Sequence, residues 1–241
     1  MLKKRTINVI LPMFMFIISG YLYLNKLPLI DKTYGINRSS ILLDANENED
    51  AHFIEKLKET YNNNEIVGYL EIPNTDFNRV VTQGKDNDKY LSHNAYGNKD
   101  IVGNPYFDYR VDISTDKKIL IYGHNSKTLD APFKYLENYY DYEFFQNHKN
   151  ITITTNERKV TYEIFSVHIE TKDWSYYNDI DFKTNEAWLN HLTKLKKKSM
   201  YDTGVEVNEN DKILILQTCT TKPEYKNLKR KFLLIIAREV E

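Results

Sequence analysis

The chain has one cysteine, Cys219, and six histidines, so its most reactive chemistry depends on whether an imidazole can reach that thiol. A thiol becomes a useful nucleophile once deprotonated, which a nearby base or cation promotes. Cys219 follows the apolar run Ile213–Leu214–Ile215–Leu216 and the pair Gln217–Thr218. A strand that stops at a cysteine fixes the side chain and leaves it reachable. His124 has the matching setting, because Lys118–Ile119–Leu120–Ile121–Tyr122 breaks at Gly123 and releases His124 and Asn125 at its exit. His52 falls in a polar N-terminal stretch and His191 on an expected helix, both with expected surface roles; His148 and His168 read as structural. A thiol–imidazole pair fits acyl transfer, which also needs positive charge for the oxyanion. Arg110, Arg230 and Arg238 are candidates, and the residues alone leave that choice open.

Other chemistries are excluded by composition. The 33 Lys and Arg nearly balance the 34 Asp and Glu, so no basic excess exists for a nucleic acid partner. A single cysteine allows neither an intramolecular disulfide nor a cysteine-rich metal site. There is no Gly-rich phosphate loop, and neither a cofactor nor a metal is expected.

The elements that must position Cys219 and His124 are short β-type runs. Val67–Ile72, Arg79–Thr82, Lys118–Tyr122, Ile151–Thr155, Lys159–Val167, Lys212–Gln217 and Phe232–Arg238 are separated by turn residues. This texture predicts a mainly β barrel or sandwich with helical inserts. Asn156–Glu157–Arg158 joins two of the runs as a hairpin. The aromatic stretch 132–145 predicts a packed helix or two. Trp188, Leu192 and Leu195 predict another helix over Asn185–Lys198, with Asn185 as N-cap and a lysine cluster at its end.

At the N-terminus, Lys3, Lys4 and Arg5 precede residues 7–24, an uncharged apolar run of about 18 residues, just long enough to span a bilayer. The expected organisation is a cytoplasmic tail over 1–6, a transmembrane signal-anchor over 7–24, an extracellular stalk over 25–63, and a catalytic domain over 64–241. The positive-inside rule keeps the N-terminal side in the cytoplasm and places the last two outside the cell membrane. Phe53, Leu57 and Tyr61 recur at helical spacing, so the stalk is expected to carry a short helix that packs on the domain.

Leu216–Gln217–Thr218–Cys219 is similar to the Leu-x-Thr-Cys signature of sortases, and Tyr122–Gly123–His124–Asn125 resembles their histidine segment. The stretch Gln83–Leu91, the run Phe107–Asp108–Tyr109–Arg110 and the late helix resemble the class B branch. The resemblance covers roughly residues 66–238. It implies a closed eight-stranded barrel and a cysteine transpeptidase that cleaves an Asn-Pro-x-Thr-like sorting signal after Thr through a thioacyl-enzyme. Its implied partners are secreted proteins bearing that signal and an amine of peptidoglycan or its lipid-linked precursor. By resemblance Asn87 and Leu91 contact the sorting peptide and Thr218 neighbours the acyl group. The final strand departs from the family pattern by placing Phe232 at the arginine position. Arg230 lies two residues earlier, on the same face by strand period, and is expected to supply the charge. The alternatives are a cysteine peptidase that hydrolyses the same signal and a catalytically weak binding module of the same fold.

Overall fold

A computed structural model of the chain describes residues 49–171 and 179–240. The expected membrane span and the stalk up to residue 48 lie outside the described residues. Among those described, no helix is long and apolar enough to cross a membrane.

The described chain opens with helix α1, Glu49–Tyr61, followed by strands β1 (Ile66–Glu71) and β2 (Asn78–Thr82). A loop containing the 3-10 turn Lys89–Leu91 leads to β3 (Tyr106–Phe107) and β4 (Lys118–Tyr122). The 3-10 segment Lys134–Tyr140 and helix α2 (Tyr142–Asn147) precede β5 (Asn150–Thr154) and β6 (Lys159–Glu170). Helix α3 (Asn185–Lys197), β7 (Ile213–Cys219) and β8 (Phe232–Val240) complete it.

The eight strands close into a barrel in the order β1-β2-β3-β4-β7-β8-β6-β5. Closure leaves no exposed sheet edge. The seven runs read from the sequence are all strands, with ends shifted by a few residues. The strand not anticipated is β3, whose two residues are too short to show a pattern. The hairpin is β5–β6, with Thr154 opposite Lys159. Pairs β2–β3 and β4–β7 are parallel. The second of these matters for chemistry, because parallel neighbours exit the sheet at the same end.

Two apolar clusters hold this frame. The barrel interior is filled by β-branched and aromatic side chains, with every residue from Ile213 to Leu216 fully buried. The second cluster sits under α1, where Phe53, Ile54, Leu57 and Tyr61 meet Ile66, Tyr69, Val80 and Ala95. Fully burying each such large side chain contributes about 1.5–3 kcal/mol, so α1 is tied to the barrel. Asn62, with φ of 49°, then ends the helix.

Helix α3 covers the outer face through Trp188, His191, Leu192 and Leu195. Two readings change here. Its N-cap is Thr184, whose side-chain oxygen accepts from Ala187 N at 3.1 Å, rather than Asn185. His191 is buried, not a surface residue: its Nε2 lies 2.9 Å from Lys118 Nζ, and its ring packs on Phe182 and Trp188. Burial pushes the Lys118 amine down to about 7 and the His191 imidazole down to about 3. His52 is exposed, as expected, while His168 is buried against Ser166 and His148 packs on Phe144.

Candidate active site

The parallel β4–β7 ladder pairs Lys118 with Ile213 at one end and Tyr122 with Gln217 at the other. Beyond it the register continues: Gly123 N donates to Gln217 O at 3.1 Å, and Thr218 Oγ1 donates to Gly123 O at 2.8 Å. One further step brings His124 and Cys219 to the same end. On the other flank of β7, Cys219 pairs with Phe232 of β8. Two apolar strands with distant sequence positions thus deliver the thiol and the imidazole to one place.

That place is a groove of about 280 Å³. It is lined by Cys219, His124, Thr218, Asn87 and Leu91, together with Asp88, Tyr106, Tyr122, Gly123, Gln217 and Phe232. Five of the six site residues read from the sequence therefore meet there. Arg230 does not: it precedes β8, two residues from Phe232, and lies outside the lining. None of the lining side chains is Lys or Arg. A larger cavity of about 420 Å³ contains neither Cys219 nor His124 and is a separate feature.

Cys219 is exposed as a residue, yet surrounding atoms desolvate its sulfur and push the thiol above its ordinary range, an effect partly opposed by the charge of Lys231. The thiol is therefore protonated at neutral pH and needs a base. Its backbone is fixed from several sides. Asn125 Nδ2 donates to Cys219 O at 2.9 Å, and Thr220 N donates to Lys231 O at 2.9 Å. Glu137 then accepts from both the N–H and the hydroxyl of Thr221, at 2.6 and 2.8 Å.

The His124 segment is held with similar economy. Phe133 N donates to His124 O at 2.9 Å, and the Phe133 ring lies so close to Gly123 that a Cβ there would stand 2.6 Å from it. Glycine at 123 is thus a packing requirement. The imidazole Nε2 lies 2.9 Å from the Leu91 carbonyl oxygen. Tyr122 donates its hydroxyl to Asp108 Oδ2 at 2.7 Å, while Arg110 grips both oxygens of the same carboxylate at 2.9 and 2.7 Å. Burial would raise the pKa of Asp108, but the bonds from Arg110 and Tyr122 outweigh it and hold the carboxyl below its usual range. Arg110 is thereby committed to structure. Asn87, in the β2–β3 loop, ties to the β3–β4 loop, its Oδ1 accepting from Tyr109 N at 3.1 Å.

The Leu91 carbonyl, Tyr106, Asp88 and Gln217 were not singled out from the sequence. Tyr106 lies in the two-residue β3; Asp88 and Gln217 fall inside stretches that carry the family resemblance but have no role of their own in it, and a backbone carbonyl leaves no mark in a sequence.

A closed barrel with a thiol and an imidazole at the exits of adjacent parallel strands defines a cysteine-nucleophile site on a mainly β scaffold. Comparison with known proteins agrees. The family model described as Sortase domain matches residues 70–240. Sortase B of Listeria monocytogenes is 35% identical over 164 residues, covering 68% of this chain and 66% of the relative, so the match spans just under two thirds of that protein's length. A crystal structure of a cysteine-to-serine mutant of Clostridium perfringens sortase B has a TM-score of 0.75 at 29% identity, covering 88% of this chain and 99% of that one. A Staphylococcus aureus sortase B–substrate complex has a TM-score of 0.69 at 26% identity, covering 78% and 85%. The chain belongs to the sortase family, and these relatives are class B members.

Proposed function

We propose that this chain is a cysteine transpeptidase that cuts an Asn-Pro-x-Thr-like sorting signal after Thr and joins the released carbonyl to a cell-wall amine. The observation that carries this reading is the convergence of Cys219 and His124 in one groove through the β4–β7 register. His124 accepts the thiol proton, and the Cys219 sulfur attacks the Thr carbonyl. Collapse of the tetrahedral adduct breaks the peptide bond, and His124 gives the proton to the leaving amine. The thioester is then attacked by an amine of peptidoglycan or its lipid-linked precursor, which loses a proton to His124 as the new amide forms and the thiolate leaves.

Asn87, Leu91 and Thr218 hold the peptide beside the sulfur. Arg230 is assigned the oxyanion charge. Directly paired residues of an antiparallel ladder share a face, so Phe232 faces with Cys219, and Arg230 lies two residues before Phe232. The apolar run at 7–24 anchors the enzyme in the cell membrane, with its N-terminus cytoplasmic and its catalytic domain on the wall side. Secreted proteins that carry the signal at their C-termini are the donors.

A groove lining without Lys or Arg favours a second reading, a catalytically weak peptide-binding module. Product analysis separates the possibilities. With an Asn-Pro-x-Thr peptide and a peptidoglycan-type amine, the transpeptidase forms the amide adduct. Hydrolysis alone indicates a peptidase, and binding without turnover indicates the module.

A further inference from the structure

Resting on the assignment of His124 as the proton-transfer group, we infer that Glu65 and Tyr90 form a positioning device that links the end of α1 to the His124 imidazole. The chain of contacts begins at the ring. His124 Nε2 lies 2.9 Å from the Leu91 carbonyl, which can only accept, so Nε2 is the donor there, and of the two neutral tautomers this contact selects the one with the proton on Nε2 and the lone pair on Nδ1. The place of that carbonyl therefore sets both the tautomer and the ring plane.

Leu91 closes the 3-10 turn Lys89–Leu91, whose central residue Tyr90 is fully buried. The Tyr90 hydroxyl donates to Glu65 Oε2 at 2.6 Å and accepts from Asn63 Nδ2 at 2.9 Å. Lys89 Nζ reaches the same Glu65 oxygen at 2.5 Å. Asn63 in turn donates its own N–H to Lys58 O in α1 and its side chain to Ala95 O. Burial opposes ionisation of Glu65, but Lys89 and Tyr90 hold its carboxyl below the usual range, so the acceptor is an anion at neutral pH.

The turn is also clamped from the opposite side. Asn104 N donates to Tyr90 O at 3.0 Å. Gly103, with φ of 60°, lies so near that a Cβ would stand 2.2 Å from the Tyr90 carbonyl oxygen and 2.9 Å from that of Leu91. Held on both sides, the turn has little freedom to move the Leu91 carbonyl that faces His124. Neither Glu65 nor Tyr90 lines the groove, so neither of these side chains touches the peptide itself.

The test uses Tyr90→Phe, which removes one hydroxyl, with Glu65→Ala and Glu65→Gln beside it. In histidine-15N-labelled protein, the His124 ring signals are identified by their loss in His124→Gln. The wild type shows a single Nε2–H tautomer; Tyr90→Phe and Glu65→Ala show a mixture. The rate constant for Cys219 acylation by the sorting peptide falls about ten-fold in both, as loss of a charge-assisted hydrogen bond allows, while KM stays within about two-fold. Glu65→Gln, which keeps an acceptor for the hydroxyl, recovers most of the rate. A pure Nε2–H tautomer in Tyr90→Phe, or a loss that appears in KM instead, overturns the inference. If Glu65→Ala does not fold, Tyr90→Phe decides. If wild-type protein does not acylate, the proposed function fails, while the tautomer comparison still tests the positioning role.

Discussion

Gly123→Ala places one methyl group where the structure leaves no room for it. Its Cβ would stand 2.6, 2.7 and 3.0 Å from three atoms of the Phe133 ring. Ordinary carbon contacts are about 3.5–4.0 Å, so the overlap is near an ångström. Gly123 lacks the left-handed backbone of Gly97, so the whole cost is steric. The ring has no easy retreat, because Phe133 is fully buried, neighbours Phe77, and is tied by its N–H to His124 O. Overpacking of this kind costs about 1–3 kcal/mol. At roughly 2–4 °C per kcal/mol for a domain of this size, the midpoint of that range lowers Tm by about 4–8 °C. Because the displaced ring carries the His124 backbone with it, Cys219 acylation should fall by up to about 100-fold, the usual effect of a misplacement near 1 Å. Gly97→Ala is the control: its Cβ meets nothing within 4 Å, and it pays only for φ of 75°, about 1–2 kcal/mol, with acylation unchanged. Thermal melts by circular dichroism and acylation followed by mass measure both quantities. A Gly123→Ala protein with unchanged Tm and full acylation would refute the packing account of the His124 segment.

Three further outcomes follow from the charges. The Cys219 thiol, raised by burial and lowered by Lys231, should alkylate slowly at neutral pH and faster above the usual thiol range of about 8.5; Lys231→Ala should slow neutral-pH alkylation about two- to five-fold, and iodoacetamide kinetics across pH measure this. Asp108 has a depressed folded pKa, so the unfolded chain binds more protons in acid, and its stability contribution is present above about pH 4 and lost as pH falls through the folded value. Asp108→Asn should destabilise the protein at pH 7 and flatten that acid limb in urea titrations. Lys118 also has a depressed folded pKa, near 7, so stability should rise with pH between about 7 and 10.4, and Lys118→Met should remove that rise in the same assay.

How legible these features were in the sequence depended on the range of the interaction that makes them. β4 and β7 announced themselves as apolar runs, and His124 and Cys219 were found because each ends such a run. The parallel pairing that joins them is a property of the folded barrel and leaves no mark in either run. β3 escaped because its pairing comes from its neighbours on the ladder, not from its own two residues. His191 was misplaced because its helix reads as amphipathic with lysines at the end, and only the fold shows Lys118 pointing at it. The Leu91 carbonyl, the Asp108–Tyr122 bond and the Glu65–Tyr90 pair are contacts between distant loops and leave no periodic trace. Arg230 marks the opposite case: strand alternation assigned it a face, while the groove as it stands is lined by Phe232.

On the proposed function, Cys219, served by His124, forms a thioester with a Thr-containing sorting signal. The decisive measurement is the intact mass of residues 26–241 after mixing with an Asn-Pro-x-Thr peptide. The prediction is a peptide adduct mapped to Cys219, lost in Cys219→Ala and in His124→Ala, and discharged by added amine. A wild-type protein that binds the peptide and never carries its mass on Cys219 would contradict it.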